Sequence, residues 1–501
     1  MIRFLLLLAA ATLVAAPARE EVLKEFTRKL PLHPGQRISV ANKNGDIAIR
    51  GVTGNEASIH AFIRVSAAER ALADQFANAI AIDVNNGATE LRVQVRYPEQ
   101  VRSGGFLERI FGGPNLGYSV RLELLLPESS PLQVRNAFGR VEVDDMKAGA
   151  TVVNSNGLVA VRKGRGAQRL ETSFGRLQVD RIVGDVAAVN NNGDVGLSEI
   201  TGDVTARSKF GSMDLAHISG TADAQNGNQS VTVSDMGGRT TIGTSFGAVS
   251  AIRVKSDVVV RNDNGAVNVS DIAGSADIST KFGKVTFSNI GRSILVRNDN
   301  GGVDGYKVGG SATITSSFGR VQASEIAGDV VIQNDNGAII VKSASGGARL
   351  RTKFGSIEAS GVRGAVVATN DNGAITIQDA QAGITASTKF AAVKLDRITG
   401  PVDVTNDNGG ITAAGLKRSG GQACEPIRMA TKFGPIQVAL PPGGDYDLTA
   451  STKFGKIHSS VTIGVQGQMS PENMSGKIGR GGCELRLIND NGGIDISAAR
   501  N

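Results

Sequence analysis

The stretch Asn262-Asp263-Asn264-Gly265-Ala266-Val267 is followed 18 residues later by Thr280-Lys281-Phe282-Gly283-Lys284-Val285, which repeats its order of polar, small and apolar positions. The two versions alternate along the chain, so that a glycine recurs every 18 residues. Between residues 139 and 409 there are 16 such positions, of which 14 are Gly and two are Gln229 and Ala391. A register that is kept over this length indicates a structural repeat rather than a row of separate domains.

Apolar residues keep the same period. The second residue after each repeating glycine is apolar, as at Val267, Val285 and Val303. Alternation with period two on both sides of the glycine is typical of short strands, and the glycine itself allows a tight corner. A unit of 18 residues cannot enclose a core, whereas stacked units can. The sequence therefore predicts an all-β fold, a single-stranded parallel β-solenoid (β-helix) with 18-residue coils, which we expect to be right-handed and to carry an N-terminal α+β cap.

The residues just before each glycine form three further rows. The first and third residues before it share the parity of the inward positions, and they are two Asn in one coil but Phe and Thr or Ser in the next. This parity predicts that both point inward, where Asn amides bond along the stack and Phe fills volume; an aromatic ligand platform is the alternative. The residue between them points outward. It is Asp263 in one coil and Lys281 in the next, so that opposite charges alternate along the outside.

The start of the chain predicts export. Met1-Ile2-Arg3 precedes an apolar run over 4–16 and the cleavage motif Ala16-Pro17-Ala18, a pattern typical of a signal peptide. No later run approaches the roughly 20 apolar residues of a membrane span, so we expect no transmembrane segment in the mature chain. The protein is then periplasmic, extracellular or at the cell surface. Export permits a disulfide between Cys424 and Cys483.

The flanks of the repeat are less regular. Ser66-Ala67-Ala68-Glu69 has the form of a capping box, which predicts a helix to Ile80 with Leu72 and Phe76 on its apolar side. Residues 106–111 form an apolar stretch inside a Gly-rich loop. The predicted divisions are a signal peptide at 1–18, a β-rich capping region with one helix at 19–135, the regular solenoid at 136–420 and irregular C-terminal coils at 421–501.

A search for reaction chemistry finds no catalytic pattern. With 41% hydrophobic and 20% charged residues, the chain is too apolar to be disordered. Its four histidines share no repeat position, and neither a nucleophile elbow nor a phosphate-binding loop is present. The Asp-x-Asn-Gly segments resemble only part of a calcium loop. We therefore expect no catalytic, cofactor or metal site, no enzyme activity and no nucleic-acid partner.

The outward positions offer one candidate binding surface. Arg207, Arg261, Arg297 and Arg351 are predicted to lie in a stripe beside the alternating Lys and Asp residues. Such a stripe suits an extended or repetitive anionic partner, for example an envelope polysaccharide, or another surface protein. A merely solvated surface is the alternative. Two other functions stay open, a scaffold that self-associates end to end and a polysaccharide-active enzyme.

Three segments resemble a known family. They are the opening Val40-Ala41-Asn42-Lys43-Asn44-Gly45-Asp46-Ile47, the segment from Leu126-Pro127 to Asn136-Ala137-Phe138-Gly139-Arg140-Val141, and Leu440-Pro441 leading to Thr452-Lys453-Phe454-Gly455-Lys456-Ile457. They are similar to the bacterial "putative adhesin" domain family over nearly the whole mature chain. The resemblance implies an exported, Gly-rich, β-helical protein, and it supplies no catalytic residues.

Overall fold

The computed structural model of the chain describes residues 19–98, 116–420, 424–465 and 470–499. The protein is all-β, a parallel β-solenoid of about 16 coils of about 18 residues, so the fold predicted from the repeat is confirmed. The chain divides into two compact units, residues 1–193 and 194–501. The predicted signal peptide at 1–18 and the apolar stretch at 106–111 lie outside the described residues.

The first unit begins with antiparallel strands and a helix and continues as parallel coils. Its elements are β1 (Glu20–Pro31), β2 (Arg37–Ala41), β3 (Ile47–Val52), β4 (Glu56–Ala67), α1 (Arg70–Ala79), β5 (Ala81–Asn86), β6 (Glu90–Arg96), β7 (Gly117–Pro127), β8 (Leu132–Phe138), β9 (Val141–Asp144), β10 (Ala150–Asn156), β11 (Val159–Arg162), β12 (Gln168–Phe174), β13 (Leu177–Val183) and β14 (Val186–Asn192). β4 pairs antiparallel with β1 and β7, whereas β2 and β3 pair parallel with β8 and β9. The antiparallel strands β1, β4 and β5 therefore lie beyond the first parallel strands of the stack, as expected of a cap.

The capping helix begins later than the capping box predicts. Ser66 belongs to β4, and the residue that precedes α1 is Glu69, whose side chain makes no capping hydrogen bond. Ala73 and Ala77 are the buried residues of the helix, which packs on β1 and β4. The predicted capping box is wrong because β4 extends through Ser66, where the backbone pairs with Glu21 of β1.

A cluster of aromatic residues ties this cap to the first coil. The Tyr97 hydroxyl lies 2.7 Å from Asn42 Oδ1 and donates to the Asn44 carbonyl at 2.8 Å. The Tyr118 ring lies 5.1 Å from the Phe76 ring and 5.2 Å from the Tyr97 ring. Burial raises the pKa of Tyr97, so its phenol stays protonated and remains a donor.

The second unit consists of parallel coils with an irregular end. Its strands are β15 (Val195–Thr201), β16 (Val204–Phe210), β17 (Met213–Ile218), β18 (Ala222–Asn226), β19 (Val231–Met236), β20 (Thr240–Phe246), β21 (Val249–Val254), β22 (Val258–Asn264), β23 (Val267–Ile272), β24 (Ala276–Phe282), β25 (Val285–Ile290), β26 (Ile294–Asn300), β27 (Val303–Val308), β28 (Ala312–Phe318), β29 (Val321–Ile326), β30 (Val330–Asn336), β31 (Ile339–Ala344), β32 (Ala348–Thr352), β33 (Ile357–Val362), β34 (Val366–Asn370), β35 (Ile375–Ala380), β36 (Ile384–Phe390), β37 (Val393–Ile398), β38 (Val402–Asn408), β39 (Ile411–Ala414), β40 (Ile427–Phe433), β41 (Ile436–Leu440), β42 (Tyr446–Thr452), β43 (Ile457–Ser459), β44 (Gly464–Val465), β45 (Asn473–Ile478), β46 (Cys483–Asn491) and β47 (Ile494–Ala498).

Each regular coil contributes one strand to each of two sheets. Even-numbered strands such as β22, β24 and β26 pair in parallel, and odd-numbered strands such as β23 and β25 pair in the other sheet. Residues 18 positions apart are direct partners, as Val267 is of Val285. The corner between the two strands is the repeating glycine. Gly283 has φ +154, and Ala391, which replaces glycine in this row, has φ 145.

The buried core lies between the two sheets and repeats from coil to coil. Val, Ile, Leu and Ala fill most of it, and Phe287 is a larger member, 1% exposed. The next coil places Gly305 directly opposite Phe287. A Cβ atom on Gly305 would lie 1.9 Å from Cζ of the Phe287 ring, so a large and a small residue in neighbouring coils share one space.

We expect Gly305→Val to lower the free energy of unfolding by about 2–3 kcal/mol, because the added side chain overpacks the Phe287 ring. The equivalent position is Val in other coils, as at Val269 and Val341, so the backbone accepts this residue. The double variant Phe287→Val/Gly305→Val should recover most of the loss in denaturant unfolding. Additive losses would show that the two positions do not share a space.

A row of buried polar residues supports the glycine corner. The Asn262 amide donates to the Gly247 carbonyl of the preceding coil at 3.1 Å and to the Gly265 carbonyl of its own coil at 3.0 Å. In several of the alternate coils a hydroxyl takes this role, as when Thr352 donates to the Gly337 carbonyl at 3.1 Å. The predicted inward row of Asn and Thr is thus confirmed, and its amides satisfy carbonyl groups that the bend leaves free.

The last coils are not stacked in chain order. β46 pairs with β40 on one side and with β42 on the other, and β47 likewise lies between β41 and β43. The final stretch of chain therefore inserts between two earlier coils. β42 also pairs antiparallel with β45, which covers part of its outer edge.

Cys424 and Cys483 are joined by a disulfide in the structure, with Cα atoms 5.7 Å apart. Cys424 is buried shortly before β40, and Cys483 begins β46. The bond therefore links the chain before β40 to the inserted strand. It closes a chain segment of 59 residues.

Candidate ligand-binding surface

The four predicted arginines lie in one row on the outer side of the even-numbered strands. Register links Arg207 through Gln225 and Gly243 to Arg261. It continues from Arg261 through Ser279 to Arg297, and then through Thr315 and Gln333 to Arg351. The structure thus brings the four residues onto a common line that the sequence period predicts.

Aspartates accompany this arginine row and offset part of its charge. Arg207 lies 3.7 Å from Asp223. Asp277 takes two partners, Arg261 at 2.8 Å and Arg297 at 3.3 Å. The arginine side chains are about half exposed, and the aspartate side chains are somewhat less exposed. Because water screens these charges, each pair contributes little stability and can rearrange toward a ligand.

The corner phenylalanines are exposed, which corrects the prediction that they fill the core. Seven of them in the second unit are between 51% and 57% exposed, and they are Phe210, Phe246, Phe282, Phe318, Phe354, Phe390 and Phe433. We call these seven residues the aromatic row. The burial of β24 alternates as far as Thr280, and then both Lys281 and Phe282 are exposed. Alternation ends there because the strand is already turning into the glycine corner.

Asparagines separate the members of the aromatic row. Register places Asn264 between Phe246 and Phe282, and Asn300 between Phe282 and Phe318. Neighbouring coils are about 4.8 Å apart, so successive rings are spaced by about 9.6 Å. The result is a line of apolar knobs with a shorter polar residue in each interval.

A charged row runs beside the aromatic row, as predicted. It comprises the residue just before each corner Phe or Asn. Within it, Lys281 lies 2.8 Å from Asp263, and Lys353 lies 2.8 Å from Asp335. The same pairing occurs in three further coil pairs, namely Lys389–Asp371, Lys432–Asp407 and Lys453–Asp490. The hydrogen bond from Lys389 lowers the pKa of Asp371, and the charges of Lys389 and Arg351 act in the same direction.

A third row, on the odd-numbered strands, has a conformation that the sequence analysis missed. The sixth residue after the repeating glycine is in the left-handed region in most coils although it is seldom glycine, with φ 55 at Arg253 and φ 57 at Asp271. Its side chains pair along the stack, as Arg253 does with both carboxylate oxygens of Asp235 at 2.7 Å. That hydrogen bond lowers the pKa of Asp235.

Two shallow grooves follow this third row. One, of about 720 Å³, is lined by Asp235, Arg253, Asp271 and the small residues Gly237 and Ala273. The next, of about 590 Å³, continues along the row past Lys307 to Glu325. Both are open to solvent and lined by repeated positions, so they offer repeated polar contacts rather than an enclosed reaction chamber.

Titratable residues do not gather into a metal centre in the part of the chain that the structure describes. No group of three or more His, Cys, Asp or Glu residues there could hold a metal ion. His60 lies 3.2 Å from Glu25 in the cap, and His217 lies 4.0 Å from Asp235 in the third row. Across the described ranges, no helix has the length and apolarity needed to cross a membrane.

Comparisons with known proteins give distant similarities only. No family model matches the sequence, and no curated protein matches it. A putative cell adhesion protein from Clostridium sporogenes is 11% identical, with a TM-score of 0.19, and the match covers 48% of this chain and 100% of that one. A putative adhesin from Parabacteroides merdae is 11% identical, with a TM-score of 0.17, covering 64% of this chain and 96% of that one.

A third solved structure, a putative lipid binding protein from Parabacteroides distasonis, is 10% identical with a TM-score of 0.13; the match covers 82% of this chain and 96% of that one. The two adhesin descriptions are consistent with the family that the sequence resembles. At these TM-scores the similarities carry no argument about what this chain binds.

Proposed function

We propose that this protein is an exported, non-enzymatic binding module of the cell envelope, either periplasmic or at the cell surface. It retains an extended, repetitive and anionic partner, such as an envelope polysaccharide or another surface protein, through the arginine row. The observation that carries this proposal is the alignment of Arg207, Arg261, Arg297 and Arg351 on one line of an exposed sheet face.

Periodicity is the first support. Outward positions recur at about 4.8 Å, and the four arginines lie three, two and three coils apart. A repetitive partner can therefore make the same weak contact at four places along the row. Guanidinium groups match carboxylate, phosphate or sulfate groups because they donate two parallel hydrogen bonds. The contacts are exposed, so salt screens them and binding weakens as ionic strength rises.

The chain's chemistry agrees with export and with binding. The signal sequence predicted at 1–18 directs secretion, and a disulfide persists in oxidising compartments. The open grooves along the third row lack the enclosure and convergent groups of most small-molecule sites. Surface retention through many weak contacts requires neither.

The test is retention of the purified chain on isolated envelope material. We expect a variant with Ser at positions 207, 261, 297 and 351 to be retained at least about tenfold less at low salt, and wild-type retention to fall as salt is added. A matched control replaces by Ser four cations that lie in or directly after the odd-numbered strands, at Lys255, Lys307, Lys342 and Lys394. It makes the same change in net charge and should be retained like the wild type.

Equal loss in the two variants would show that only net charge matters, and no loss in either would contradict a role for the arginine row. Both variants must first show the wild-type unfolding midpoint. Release of soluble fragments from the envelope material during the assay would overturn the non-enzymatic assignment.

A further inference from the structure

The aromatic row and the charged row together form a surface that is complementary to itself, and we propose that it joins two copies of this chain side by side in an antiparallel dimer. This inference does not rest on the arginine row, which occupies other positions. It differs from end-to-end association because the contact runs along the stack of coils.

The exposed area is large enough for a stable contact. A Phe side chain presents about 200 Å², so seven half-exposed rings offer about 700 Å² per copy. A stable interface needs about 800 Å² per partner, which the flanking Lys and Asp side chains supply. The rings are separated by Asn, but an exposed apolar area of this total size, aligned on one line, is typical of an interaction surface rather than of scattered surface residues.

The spacing of the rings determines how two copies fit. Rings about 9.6 Å apart leave an interval over each Asn that is wide enough for a ring of the partner. Two rows interdigitate when each Phe of one copy lies opposite an Asn of the other. A two-fold axis parallel to the row cannot do this, because it places each residue at the level of its own equivalent.

An axis that crosses the row at right angles gives the interdigitated arrangement. If it passes between Phe318 and Asn336, it brings Phe318 opposite Asn336 of the second copy, and Phe354 opposite Asn300 of the second copy. The chains then run antiparallel, and every further coil follows the same rule because Phe coils and Asn coils alternate in register.

The same axis also pairs the charges. Each Lys of the charged row belongs to a Phe coil and each Asp to an Asn coil, and Ser245 and Ser317 stand in place of Lys in two Phe coils. Lys therefore meets Asp at those Phe–Asn contacts where both coils carry a charge. Lys281 faces Asp371 of the second copy, Lys353 faces Asp299 and Lys389 faces Asp263. One two-fold axis therefore pairs the aromatic rows and the charged rows of the two copies at the same time, as an isologous interface requires. The opposite charges favour this antiparallel register over others.

The experiment measures the mass of the mature, disulfide-linked chain by sedimentation equilibrium across a range of protein concentrations. We expect a reversible monomer–dimer equilibrium. A variant with Ser at Phe282, Phe318, Phe354 and Phe390 should raise the dimer Kd by at least about 100-fold, since these rings are the buried anchors. The four-Lys variant described above serves as the matched control and should dimerise like the wild type.

Charge reversal gives a second test that leaves the rings intact. One variant changes Lys281, Lys353 and Lys389 to Asp, and the other changes Asp263, Asp299 and Asp371 to Lys. Each alone opposes like charges and should dimerise at least about tenfold more weakly than the wild type. An equimolar mixture of the two should form heterodimers, because every opposing pair is then complementary. A chain that carries all six changes should form homodimers again.

A wild-type chain that stays monomeric at all concentrations would overturn the proposal. So would charge-reversed variants that homodimerise like the wild type. A monomeric wild type whose four-Phe variant loses retention on envelope polysaccharide would show that the aromatic row binds the polymer instead. The unfolding midpoint of each variant establishes that it is folded, and the heterodimer measurement remains decisive if the four-Phe variant is not.

Discussion

Replacing Phe287 by Ala is expected to lower the free energy of unfolding by about 3–5 kcal/mol, whereas Phe282→Ala, five residues earlier in the same coil, should cost under about 1 kcal/mol. Phe287 is 1% exposed and packs between the sheets, so its loss leaves a cavity. Phe282 is 53% exposed at the corner, and its removal leaves none. Urea unfolding of the two single variants measures both values.

The two variants control for each other, because both replace Phe by Ala in the same coil. Lys281→Ala, beside Phe282 in the charged row, should also cost under about 0.5 kcal/mol. If Phe282→Ala proved as costly as Phe287→Ala, the outward placement of the aromatic row would be wrong.

Removing the disulfide is the second change with a large expected effect. Replacing Cys424 and Cys483 by Ser should cost about 4 kcal/mol, because the bond closes 59 residues and restricts the unfolded chain. The loss should fall mainly on the C-terminal coils, since coils in a solenoid contact only their neighbours. Hydrogen exchange should therefore accelerate in β40–β47 more than in β15–β30.

Two observations accompany that variant. Thiol titration of the unfolded, unreduced wild type should detect no free thiol, and two free thiols would contradict the linkage. Reductant should lower the unfolding midpoint of the wild type but leave that of the double Ser variant unchanged. A midpoint that shifts equally in both proteins would assign the effect to something other than this bond.

The sequence predicted the solenoid because its evidence is independent at every coil. One glycine and one apolar position recur in register from Gly139 to Gly409. The departures from glycine at Gln229 and Ala391 therefore do not obscure the repeat. The inward Asn row followed for the same reason, since a buried amide at every second corner has a repeated carbonyl to satisfy. The line of arginines required only that residues 18 apart be partners.

The exposed phenylalanines could not be placed by parity alone. A strand alternates while its backbone is extended, but Phe282 directly precedes Gly283, where the chain turns. Hydrophobic character then argued for the interior, although apolar residues also occupy protein surfaces. The left-handed row was missed because Lys, Arg and Glu occupy it as well as Asp and Asn; Gly361, with φ +66, is one of its few glycines.

The inserted C-terminal strand did carry a signal. Lys432-Phe433 and Lys453-Phe454 follow one another along the chain, with no Asn coil between them, and Asn489-Asp490-Asn491 comes afterwards. Stacking in chain order would have set Lys432 beside Lys453. In the structure Asp490 lies 2.8 Å from Lys453, and Asn491 is the register partner of Phe433. The stacked coils thus keep the alternation of Phe coils and Asn coils, although these coils do not follow one another in the order of the chain.

Hydroxyl-radical footprinting of the phenylalanines tests most directly that the aromatic row is an exposed, contact-making surface. At concentrations where the chain is monomeric, Phe246, Phe282, Phe318 and Phe354 should be oxidised at similar rates while Phe287 is protected. At concentrations where it dimerises, the four should become protected and an exposed residue outside the rows, such as Tyr306, should not. Phe282 as protected as Phe287 in the monomer would contradict the outward placement of the row.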